Sequence, residues 1–173
     1  MKRYDSLPFR MAKHTDSAGA RGPSEGKLPA FTLDMPSEPA IPVMLAVPHA
    51  GRAYSSRLTA SMRQPDYTRL RLEDRLVDVL TREIADATGA PLLVAHAPRA
   101  LLDLNRAPED MDWTMVRGGA ARDADRRAGK HSLANRRSRG GLGLVPRRLA
   151  GIGEIWRAPM PREELEARLA AVH

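Results

Sequence analysis

One histidine, a pair of acidic residues and an Asp-Leu-Asn-Arg run are the parts of this chain whose types and spacing suit chemistry. His49 stands in Pro48-His49-Ala50-Gly51, directly after the apolar run 41–47 (IPVMLAV). Ligand sites in open α/β sheets gather at strand C-termini, and an imidazole nitrogen there can bind a metal. The plainer alternative is an ordinary loop histidine. Glu73 and Asp74 come next, in the first turn of a helix that the periodicity predicts over 70–88. Negative charge is favoured there by the helix dipole alone. At ~100° per residue, however, Glu73 falls in the middle of the Leu76, Val77, Leu80 and Ile84 stripe, and Asp74 at its edge. A carboxylate aimed at an apolar face must be paired, protonated or bound to a cation. Either residue could ligate a metal, and periodicity does not choose between them. In Asp103-Leu104-Asn105-Arg106, strand alternation puts Asp103 and Asn105 on one face. Arg106 beside Asn105 offers a fork of donors suited to a carboxylate, and Arg99 could add a second donor group. A surface ion pair of Arg106 with Glu109 or Asp110 is the plain alternative.

The elements that must position these residues follow from the pattern. The run 41–47 predicts a strand buried on both faces. The helix over 70–88 has Gly89 as its stop and Pro91 as a bar to continuation. Residues 92–95 (LLVA) and 100–104 (ALLDL) predict two further strands, which together give a layered α/β fold. Residues 107–140 lack periodicity and predict a long loop. Pro161 suits the first turn of a last helix over 162–172, with Leu165, Leu169 and Val172 on its apolar edge. Residues 1–28 are polar and without period, a flexible leader; 29–173 predict a single domain.

Composition narrows the chemistry. The chain has 173 residues, and it has no cysteine, so any metal would be held by His, Asp or Glu. The lack of thiols fits a reducing, cytoplasmic setting. No apolar run approaches the ~20 residues of a membrane span, and no secretory h-region follows the basic start. The net charge of +7 is concentrated in 117–148, where ten basic residues face only Asp123 and Asp125. That segment lacks interleaved aromatics and a helix-turn-helix or finger pattern, which argues against nucleic acid. A field that draws an anionic substrate is the better reading, with binding of acidic ligands or nucleic acid as the alternative.

Taken in order, these stretches resemble the N-formylglutamate amidohydrolases, relatives of the zinc carboxypeptidases and aspartoacylases. The matching segments are PVMLAVPHAGRAY (42–54), LEDRLVDVL (72–80), PRALLDLNRAPED (98–110) and GGLGLVPRR (140–148) with Ile155-Trp156. PHAG and DLNR, about 55 residues apart, carry most of the specificity. The resemblance implies a three-layer α/β/α fold with a mixed sheet, of the phosphorylase/hydrolase-like kind. It implies zinc, with His49 as first ligand and Asp74 as second, Glu73 being the alternative. Asn105 and Arg106, assisted by Arg99, would grip a substrate carboxylate. The stretch around Gly143 would lie near the site. The reaction implied is hydrolysis of an N-formyl or N-acyl acidic amino acid by metal-activated water, a step of histidine degradation.

One departure stands out. The family pattern continues past this chain's last helix, with a strand ending in a third histidine ligand and a glutamate general base. Neither motif occurs here, and His14, His96, His131 and His173 lie in other contexts. The expectation is therefore the N-terminal part of a catalytic domain, truncated at its C-terminus, with an incomplete zinc site and weak or no activity of its own.

Overall fold

The computed structural model describes residues 29–119, 138 and 140–172. The expected leader and most of the Arg-rich stretch, His131 included, lie outside the described residues. The elements among the described residues are, in order, β1 Phe31–Asp34, β2 Leu45–Val47, α1 Ser56–Ala60, α2 Pro65–Leu72, α3 Val77–Thr88, β3 Leu92–Ala95, β4 Arg148–Leu149, β5 Gly153–Glu154 and α4 Arg162–Val172. A short 3-10 turn, Trp113–Met115, interrupts the long connection after β3.

The main sheet has the order β1-β3-β2. β1 runs antiparallel to β3, and β2 runs parallel to it, with Leu45 opposite Leu92 and Val47 opposite Val94. This is a mixed α/β arrangement with a small mixed sheet. α3 packs on β2 and β3. Val47, Ala50, Ala85, Leu92 and Val94 form a small apolar cluster between them. A larger core lies under the rest, built on Met62, Leu72, Leu102, Leu144, Val145, Ile155, Trp156 and Leu165. Burial of each such large side chain stabilises by about 1.5–3 kcal/mol.

Several expectations are corrected. The strand expected over 41–47 is confined to Leu45–Val47, and residues 41–44 before it are exposed, so this run is not buried on both faces. Residues 100–104 form no strand. Leu101 N–H donates to the Pro98 carbonyl at 2.8 Å, which closes a turn and starts an irregular, buried path. The helix over 70–88 is two helices. α2 starts on Pro65 and ends at Glu73, which is extended, and Leu76 takes a left-handed backbone (φ 65°) before α3 begins. A left-handed leucine costs roughly 1–2 kcal/mol, and no glycine or proline advertises the break. Gly89 does end α3, also left-handed, donating to the Ala85 carbonyl at 2.8 Å.

The apolar stripe of α3 is not core either. Leu76, Val77, Leu80 and Ile84 are exposed, and Ala85 is the helix's one buried residue. The sheet instead meets the helix at Ala85, which joins Val47, Leu92 and Val94 in the smaller cluster. None of the described helices is long and apolar enough to cross a membrane.

Candidate functional site

β2 delivers its chain into the 48–54 loop, where His49 is 7 % exposed. The loop passes hard against the segment after β3. A Cβ on Gly51 would lie 2.1 Å from the Ala97 carbonyl oxygen, so only glycine fits this path. Ala53 N–H donates to the His96 carbonyl at 3.2 Å and ties the two strand ends together.

His49 sits between two carboxylates. Its Nε2 donates to Asp103 Oδ1 at 2.8 Å, and its Nδ1 lies 3.3 Å from Asp74 Oδ2. Asp103 is fully buried. It also accepts from Arg99 Nε at 2.9 Å and from the Asn105 backbone N–H at 2.9 Å. Burial pushes its carboxyl pKa up, but the hydrogen bond from His49, the Arg99 charge and the Asn105 N–H outweigh that, and the pKa falls to about 2. Asp103 is thus a carboxylate at every physiological pH, able only to accept. The proton on Nε2 is fixed by it, as in carboxylate–histidine pairs behind metal ligands.

That arrangement bears on the metal. With its Nε2–H directed at Asp103, His49 presents Nδ1 to the Asp74 carboxylate oxygen, a contact that either a second ring proton or a cation between the two can hold. Two ligands of a tetrahedral zinc with bonds of ~2.0–2.1 Å stand roughly 3.3–3.4 Å apart, which the observed separation matches. The residues present therefore fit two corners of a zinc site. Among the described residues there is no group of three or more His, Asp or Glu able to hold a metal ion.

Asp74 and Glu73 part company here. Asp74 N–H donates to the His49 carbonyl at 3.0 Å, and its carboxylate is half exposed beside the imidazole. The Glu73 carboxylate is nearly buried and lies 3.8 Å from Arg52 Nε and 3.5 Å from Arg75 Nε.

Arg99, Asn105 and Arg106 gather around Asp103. Arg106 Nε donates to the Leu142 carbonyl at 3.0 Å and stands 3.8 Å from Asp103 and 3.9 Å from Asp110. Its Nη1 donates to the Asn105 carbonyl at 3.1 Å. The Asn105 side chain is exposed. The glycine-rich stretch closes the cluster from behind. Asp103 N–H donates to the Leu144 carbonyl at 2.7 Å, and a Cβ on Gly143 would lie 2.4 Å from the Asp110 carbonyl oxygen. Of the Arg-rich segment's described residues, Arg147 pairs with Asp112 at 3.0 Å and Arg148 with Glu154 at 2.8 Å.

Sequence reasoning placed Asp103 beside Asn105 but gave it no role. The signal was there: an aspartate inside ALLDL is a charge in an apolar run, and such a charge needs partners.

The crystal structure of N-formylglutamate amidohydrolase from Ralstonia eutropha JMP134 is similar in fold, with a TM-score of 0.66 at 23 % identity. The similarity covers 83 % of this chain and 48 % of that one, so the chain spans about half the length of that relative. No curated protein matches the chain. The family model described as N-formylglutamate amidohydrolase matches residues 41–173, which takes in the His49 loop, the Asp74 link and the Asp103 cluster together, and on that match the chain belongs to the N-formylglutamate amidohydrolase family.

Proposed function

We propose that residues 29–173 form the N-terminal part of a catalytic domain of three-layer α/β/α type, and that they supply half of a zinc-dependent amidohydrolase site. The substrate class is a small N-formyl or N-acyl acidic amino acid of the N-formylglutamate kind, hydrolysed in the cytoplasm to formate or another acid and the free amino acid, as in histidine degradation. One observation carries the reading: His49 Nδ1 and Asp74 Oδ2 stand 3.3 Å apart while buried Asp103 holds the other ring nitrogen.

Each residue then has a task. His49 contributes its Nδ1 lone pair and Asp74 a carboxylate oxygen as metal ligands. When bound, zinc supplies Lewis acidity, polarising the scissile carbonyl and making water acidic enough to attack near pH 7. Asp103 keeps the His49 proton on Nε2 and the ring in place. Arg99 and Arg106 each carry five N–H donors; Arg99 Nε and the Nε and Nη1 of Arg106 are engaged within the protein. Their other donors, with the exposed Asn105 amide, would hold the substrate carboxylate by charge-assisted hydrogen bonds of about 1.5–3 kcal/mol each. Glu73, paired with two arginines, is the weaker ligand candidate. A complete site draws its third ligand and general base from outside the described residues.

Zinc titration of the 173-residue chain by calorimetry tests the reading. Saturable binding is expected, weakened at least tenfold by His49→Ala and by Asp74→Asn. Affinity unchanged in both variants would overturn it. Formate release from N-formylglutamate with zinc present is expected to be weak and to require His49.

A further inference from the structure

We propose that Arg52 is a positioning residue that sets the separation of His49 and Asp74, an inference resting on the reading of those two as metal ligands. Asp74 lies on the short link between α2 and α3, which no regular structure holds. Its own carboxylate has His49 as its partner among the described residues. The backbone bond from Asp74 N–H to the His49 carbonyl registers the two main chains but leaves the Asp74 side chain free to turn.

Arg52 reaches the link from both sides. It lies three residues after His49, on the loop pressed against Ala97 at Gly51. Its Nε stands 3.8 Å from Glu73, the residue before Asp74, and its Nη2 donates to Asp78 Oδ1 at 3.3 Å, in the first turn of α3. One guanidinium therefore joins the loop that carries one ligand to both ends of the segment that carries the other. A slide of that segment along the loop would have to break the Arg52 contacts as well as the backbone bond between Asp74 and His49.

The charges point the same way. Glu73, Asp74 and Asp78 are three carboxylates within six residues, and their mutual repulsion favours splaying the link. Arg52 screens two of them. Together with Arg75, at 3.5 Å, it holds the Glu73 carboxylate, which leaves Asp74 as the carboxylate facing the imidazole. This accounts for a nearly buried Glu73 that sits one residue from a proposed ligand without sharing its place.

Both Arg52 contacts are partly exposed, and such pairs contribute little to global stability. A purely structural role would therefore show itself weakly, and a positioning role in the site itself. The test compares Arg52→Ala, Arg52→Lys and Glu73→Gln with the wild type by zinc competition against a chromophoric chelator. The thermal midpoint of the metal-free protein and the 15N shifts of the His49 ring are followed alongside. Arg52→Ala is expected to bind zinc about tenfold more weakly, the size seen when groups behind metal ligands are removed, with the thermal midpoint nearly unchanged and the His49 Nδ1 signal moved. Lysine keeps the charge but not the fork, so Arg52→Lys should recover part of the loss. Wild-type zinc affinity and an unmoved His49 signal in Arg52→Ala would overturn the proposal. If His49→Ala also bound zinc as the wild type does, the ligand reading itself would fall; if only Arg52→Ala did, the ligand reading would stand without this addition.

Discussion

The two carboxylates on His49 belong to regions built on opposite principles. Asp103 is sealed in the larger core, with His49, Arg99 and the Asn105 N–H as partners and the Leu144 carbonyl on its backbone. Asp74 is half exposed on a link between helices, and the helix that follows turns its apolar stripe to solvent. The first region is over-determined by buried hydrogen bonds, where loss of one partner leaves a charge unpaired in low dielectric. The second is held by partly exposed ion pairs that water weakens. The imidazole is thus anchored on one side and adjustable on the other, a division that suits the metal-ligand role proposed for it.

The largest test of that contrast is deletion at the sealed end. Asp103→Ala leaves Arg99 and the His49 Nε2–H without their acceptor, and should cost about 3–5 kcal/mol in urea unfolding. Asp74→Ala should cost well under 1 kcal/mol. Similar losses in the two variants would erase the distinction between the regions.

Acid probes the same contrast without mutation. The Asp103 pKa is lowered to about 2 from an ordinary 3.8. The unfolded chain therefore binds this proton more readily, and stability rises with pH through that window. The contribution, on the order of 2 kcal/mol, is fully present above about pH 4 and is lost as pH falls through about 2. Asp103→Asn should flatten that part of the stability curve relative to the wild type. An unchanged slope would mean that the buried network does not hold the ionised form.

On the open side, Leu80→Glu and Ile84→Lys should change stability by no more than about 0.5 kcal/mol, since these residues stand about half exposed at the surface. Both should reduce self-association in sedimentation, because exposed apolar patches promote it. A loss of several kcal/mol would show the stripe to be covered after all. The smallest effect is expected at Leu76→Gly. Relief of the left-handed strain is offset by glycine's extra chain entropy, leaving a gain of a few tenths of a kcal/mol. A clear destabilisation would mean that the leucine side chain has a packing partner.

These regions also differ in how far they could be read beforehand. The β3 strand, the Gly89 stop, the Pro161 helix start and the placing of His49 after a strand were legible because each depends on local residue types. The α2–α3 break was not. The contacts that meet it are tertiary, Asp74 N–H donating to the His49 carbonyl and Arg52 lying against Glu73 and Asp78, while Leu76 reads as a good helix residue. ALLDL passed for a strand because an apolar run on an irregular buried path looks the same as one in a sheet. β1, only four half-buried residues, carried too short an alternation to register. The pairing of Asp74 with His49 was anticipated from resemblance, whereas Asp103's hold on the ring needed coordinates.

The glycine of the PHAG motif has a wider consequence. At position 51 the backbone runs in a crevice that admits a hydrogen atom and no carbon. Alanine there would not merely stiffen the loop; it would act as a spacer that lifts the imidazole off its buried acceptor. A saturation library at that single codon, screened for retained zinc, should return one amino acid. The tightest specification in the proposed half-site lies on a residue with no side chain at all.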